Sequence, residues 1–83
     1  MPTVAIVECV RIVFYADEHP PPHFHAYVAE HEATIEIETL ALVEGSLPRG
    51  KLKVVQAWAE PRREKLFATW YTARKNRKLG RLE

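Results

Sequence analysis

The sequence predicts an α+β fold: a four-stranded, mainly antiparallel sheet of two hairpins, with a C-terminal helix packed on one of its faces. Three observations lead there. Val10–Tyr15 alternates, with Val10, Ile12 and Phe14 on one side and Arg11, Val13 and Tyr15 on the other. The same period of two returns in Phe24–Ala29 and Ala33–Leu40. After Gly45-Ser46-Leu47-Pro48 the spacing becomes helical.

Thr3–Val7 is β-branched and apolar, and reads as a first strand that reverses at Glu8-Cys9 into Val10–Tyr15. In the second hairpin a two-residue loop at Glu30-His31 pairs Val28 with Ala33, Ala26 with Ile35 and Phe24 with Ile37. That register sets Tyr27 opposite Thr34, His25 opposite Glu36 and His23 opposite Glu38. A slip of one residue would turn the isoleucines to solvent, so the apolar pattern holds the histidines on the glutamate side. Ser46 is the expected helix cap, with proline tolerated in the first turn. Leu52, Val55, Trp58 and Ala59 then form one stripe, and Leu66, Phe67, Trp70, Tyr71 and Ala73 continue it. Pro61 predicts a kink or break near Ala59-Glu60. The chain divides into a sheet half, 1–44, a helical half, 46–78, and a frayed tail, 79–83, within one domain.

His19-Pro20-Pro21-Pro22-His23-Phe24-His25 holds three of the four histidines. Proline fixes φ and removes a donor, so Pro20–Pro22 is expected to run extended outside the sheet ladder. The segment thus presents imidazoles where a stiff loop enters a strand.

Net charge is +1, yet the halves differ. Residues 1–46 carry one base, Arg11, and eight acids; residues 47–83 carry eleven bases and three acids. Such a division suits a charged partner, or two halves that complement each other. The lone Cys9 excludes an internal disulfide and suggests a reducing compartment. No apolar run approaches a membrane span, and no basic leader precedes an apolar stretch. A cytoplasmic protein with no membrane partner is the expectation.

Phe14-Tyr15, the His19–His25 run, Glu30-His31, Gly45-Ser46-Leu47-Pro48 and Trp58-Ala59-Glu60, with Pro-Thr-Val-Ala-Ile near the start, together resemble the small bacterial family called domain of unknown function 4160. The resemblance implies an intracellular bacterial protein. It also implies a neighbour: members look like one half of a two-gene unit, beside another small protein, similar to toxin–antitoxin modules. It supplies no catalytic residue.

Three functions follow. As a binding or regulatory module, the chain would use Arg62, Arg63, Arg74, Lys75, Arg77 and Lys78 toward nucleic acid or a protein encoded next to it, or assemble with itself. The bland alternative for these bases is a solvated helix face. As a metal-independent ribonuclease, His23 and His25 would share proton transfer, with Glu36 orienting one ring. Tyr27 or Arg11 would steady a phosphate, with His19 and Glu38 completing the surface. As a metal-binding protein, His19, His23 and His25 would hold a divalent ion, since His23 and His25 project to one side of an extended chain. No other cofactor is expected. Trp70 and Tyr71 fit core packing better than base stacking.

Overall fold

The computed structural model describes residues 3–15 and 18–74. Five strands form one antiparallel sheet in chain order: β1 (Thr3–Val7), β2 (Val10–Val13), β3 (His23–Val28), β4 (His31–Glu36) and β5 (Leu42–Gly45). Helices α1 (Arg49–Ala59) and α2 (Arg63–Arg74) follow. No described helix is long and apolar enough to cross a membrane.

The α+β class, the antiparallel sheet and the C-terminal helical segment agree with the sequence reading; the strand count does not. The fifth strand, β5, replaces what reads as a connection, because only Leu42 and Val43 are apolar and Gly45 resembles the preface to a helix. β4 also ends at Glu36, short of Leu40. Leu40 takes φ +63° and its amide bonds back to the Glu36 carbonyl at 2.8 Å, which turns the chain into β5.

The second hairpin needs a further correction. His23 pairs with Glu36, Phe24 with Ile35, His25 with Thr34, Ala26 with Ala33 and Tyr27 with Glu32. The reversal is therefore at Ala29-Glu30, with Ala29 in the left-handed region at φ +51°, and the register differs from expectation by two residues. A shift of two keeps every side chain on its expected face but changes its cross-strand neighbour. Glu8 and Cys9 make the first reversal, both at positive φ.

Parity then builds the core. Phe24, Ala26, Ile12 and Ile35 are fully buried beneath the helices, with Val55 and Ala59 of α1 and Leu66, Trp70 and Ala73 of α2. Phe14 and Phe24 pack with ring centroids 6.2 Å apart. Burying each large side chain contributes about 1.5–3 kcal/mol. Gln56 reaches the Leu40 carbonyl at 2.8 Å and Lys51 the Glu8 carbonyl at 2.7 Å, tying α1 to both ends of the sheet.

No kink at Pro61 is shown. Between α1 and α2, Glu60–Arg62 form one 3-10 turn, while Ala59, Glu60 and Arg63 all keep right-handed helical dihedrals. Pro61 sits at the start of that turn, where its missing N–H is least costly. Ser46 does not cap α1: the N-cap is Pro48, whose carbonyl accepts from the Lys51 and Leu52 amides. The segment Pro20–Pro22 lies outside the strands, but it bends at Pro20-Pro21, and the Pro22 carbonyl accepts from the Ile37 amide at 3.1 Å. The expected frayed tail lies outside the described residues.

Two substitutions test this packing by urea unfolding. Phe24→Ala removes a fully buried ring and should cost about 3–5 kcal/mol; a loss below about 1 kcal/mol would contradict the core placed here. Gly45→Ala should cost about 1–3 kcal/mol, because φ is +79° and a Cβ would meet the Glu32 carbonyl oxygen. Faster amide exchange confined to β5 and its neighbours should accompany it.

Candidate functional site: a histidine and carboxylate cluster

Alternation along β3 gives His23, His25 and Tyr27 one parity, a face shared with Arg11, Thr34 and Glu36, although the ring of His23, at the start of the strand, also meets Trp70 of α2. The loop before β3 then folds back over this face and brings Glu18 onto the two imidazoles. The Glu18 Oε1 lies 3.4 Å from His23 Nε2 and in close contact with His25 Nε2. One ligand atom from each of Glu18, His23 and His25 falls within 4.8 Å of the others. The cluster is sheltered: both imidazoles are 13% exposed and Glu18 is 24% exposed.

The opposite ring nitrogens are fixed as well. His23 Nδ1 lies 2.9 Å from the Pro21 carbonyl. A carbonyl only accepts, so His23 carries its proton on Nδ1 and, when neutral, presents a bare lone pair at Nε2 to Glu18. His25 Nδ1 lies 3.4 Å from Thr34 Oγ1, at the long end of hydrogen bonding. Trp70 supports His23 from the core side, ring centroids 4.7 Å apart, and Tyr15 stands edge-on to His25 at 5.0 Å. Burial tends to raise the Glu18 carboxyl, but the hydrogen bonds and charges of His25 and His23 outweigh it and hold Glu18 below the usual value.

The cluster forms one wall of a cleft of about 380 Å³. His19, Pro20 and Pro21 border it on the loop side, and Glu36, Val43 and Glu44 on the β4–β5 side. No lysine or arginine lines it among the described residues.

The structure therefore joins His23 and His25, as the sequence suggests, but the acid between them is Glu18. Glu36 stands opposite His23, lines the cleft, and accepts from Thr39 Oγ1 at 2.8 Å. His19 lines the same cleft from an exposed position without joining the three-residue cluster. Glu38 leaves the strand altogether; its backbone carbonyl accepts from Arg63 Nε at 3.1 Å.

Arg11 and Tyr27 sit farther along the face, paired with each other, the guanidinium 5.4 Å from the ring centre. Tyr27 donates to Glu32 at 3.3 Å and shares a 2.5 Å contact with the Tyr15 hydroxyl. Burial first, then Tyr15 and Glu32, push the Tyr27 phenol well above its usual value, so it stays protonated.

Of the expected basic surface, Arg62 donates to the Trp58 carbonyl at 2.7 Å and stacks on its ring, and Arg74 stacks on Trp70. These bases are engaged within the fold. Lys75, Arg77 and Lys78 lie outside the described residues. Trp70 is core, as its helical spacing suggests, and its Nε1 is buried without a hydrogen-bond partner among the described residues.

No curated protein and no solved structure matches the chain. A family model described as "Domain of unknown function (DUF4160)" matches residues 10–71, which span β2 through most of α2 and hold the entire cluster. The chain belongs to the DUF4160 family.

Proposed function

We propose that this chain is a divalent-metal-binding protein, with Glu18, His23 and His25 as the protein ligands and the remaining coordination positions open to the cleft. The tautomer of His23 carries the reading. With Nδ1 donating to Pro21, the Nε2 lone pair faces a carboxylate oxygen, and two acceptors face to face require a positive centre. Either a proton on Nε2 or a bound metal ion supplies one.

The His23–Glu18 separation and the ligand types agree with that. Donor atoms about 2.0–2.1 Å from a tetrahedral zinc stand roughly 3.4 Å apart, and His23 Nε2 and Glu18 Oε1 are 3.4 Å apart. His25 Nε2 is in closer contact with that oxygen and would have to move away for both to ligate one ion. Two imidazoles and one carboxylate form a set used where metals keep open positions. Pro21 anchors the far nitrogen of His23, and Thr34 lies beside that of His25, as outer partners of ligating histidines do. A bound divalent ion would polarise an oxygen atom that reaches it through the cleft. The chain's own residues orient the imidazoles, keep them partly dry and leave Glu36 and His19 at the margin.

Metal-independent RNA cleavage by His23 and His25 is the weaker reading. Glu18 holds both Nε2 atoms, and Glu36 and Glu44 in the same cleft repel phosphate with no base to offset them. The proposed setting rests on the resemblance alone: a cytoplasmic bacterial protein working in a toxin–antitoxin-like pair.

Calorimetry on untagged, chelator-treated protein checks the reading. Zinc should bind one ion per chain at micromolar affinity or tighter, and Glu18→Gln should weaken it at least tenfold, His23→Ala and His25→Ala more. Stoichiometric binding that persists unchanged in all three variants, or no saturable binding of zinc, nickel or cobalt, would overturn it. Thermal unfolding offers a second check: zinc at about 100 times its Kd should stabilise the protein by about 2.7 kcal/mol, and His25→Ala should lose that gain.

A further inference from the structure

β5 is the last strand of the sheet, so among the described residues its outer row of amides and carbonyls has no strand beside it. Sheet edges are commonly guarded by lysine, proline, short length, a bulge or a covering element. Leu42–Gly45 has no lysine or proline, although it is four residues long and its pairing with β4 is irregular at Val43. Val43 instead stands 57% exposed at this edge, where it also borders the cleft. Glu44 pairs with Thr34 and shares the histidine face, so it stands beside Glu36 over the same opening. Backbone hydrogen-bonding capacity, an apolar contact and two carboxylates therefore coincide along one side of the cleft.

We propose that this edge receives an extended basic peptide from a partner protein, added as a sixth strand. The peptide's main chain bonds to β5, one apolar side chain covers Val43, and lysine or arginine side chains reach Glu44 and Glu36. This is strand addition, in which main-chain bonds supply affinity and alternate side chains supply specificity. The charge of the surface selects the occupant. Nucleic acid would bring phosphates against three carboxylates, and Arg62 and Arg74 are stacked on their own tryptophans.

A second copy of this chain fits less well. Its described edge strands are β1 and β5, neither of which carries a base, and pairing β5 with β5 would bring Glu44 toward Glu44. The proposal uses the same cleft as the metal reading and stands without an ion: the three carboxylates there exceed the charge of one divalent cation, so the edge stays acidic either way.

The test is an NMR titration of metal-free and zinc-treated protein with the blocked pentapeptide Val-Lys-Val-Lys-Val, its Val-Glu-Val-Glu-Val counterpart, and oligouridylate. The lysine peptide should shift the amides of Leu42–Gly45 and Glu36 and bind at least tenfold tighter than the glutamate peptide. Glu36→Gln/Glu44→Gln should remove most of that preference. Val43→Lys, at an exposed position, should block addition to the edge while leaving the rest of the spectrum unchanged. Equal binding of both peptides, shifts confined to another surface, no binding in either metal state, or tighter binding of oligouridylate would overturn the proposal. Loss of zinc binding with retained peptide selectivity would refute the metal reading alone.

Discussion

The two-residue period of β3 is the constraint on which the structure depends. Phe24 and Ala26 must go beneath the helices, because the core of so small a domain cannot spare them. His23, His25 and Tyr27 must then rise on the other side. Neither set can move independently: displacing the strand by one residue would bury two imidazoles and expose a phenylalanine. The chemistry of the upper face is thus held in place by the packing of the lower one.

Parity alone does not make a site, however. The loop between β2 and β3 adds what the strand cannot, a carboxylate that reaches both imidazoles from above, and its Pro21 carbonyl decides which nitrogen of His23 carries the proton. Trp70 joins the two layers by meeting His23 from the core side. A helix residue that serves packing therefore also limits how a cluster imidazole can turn, so damage to the helical layer would be felt at the histidines.

Much of this was legible in the residues. Alternation in Val10–Tyr15 and Phe24–Ala29 correctly assigned faces, and helical spacing correctly placed Val55, Leu66 and Trp70 in the core, but not Tyr71, which is 54% exposed. The hairpin register was not legible, because Ala29-Glu30 contains no glycine or asparagine and alanine rarely marks a left-handed turn. β5 escaped because four residues with two apolar positions carry no period. Glu18 escaped for a different reason. A loop acid has no periodicity to place it, and its only signal was position, directly before the His19–His25 run. Side-chain register therefore suggested Glu36 as the partner of His25, while the loop supplied Glu18 instead.

The central claim is that Glu18, His23 and His25 converge on one positive centre through the ε nitrogens of both rings. Imidazole nitrogen NMR during a zinc titration at neutral pH reads this atom by atom. The account predicts that Nε2 of His23 and of His25 move together to metal-bound shifts at one equivalent of zinc, with Nδ1 of His23 remaining protonated and His31 unchanged. Zinc that engages Nδ1 of either ring, or shifts His31 and His19 while leaving His23 and His25 in place, would contradict it.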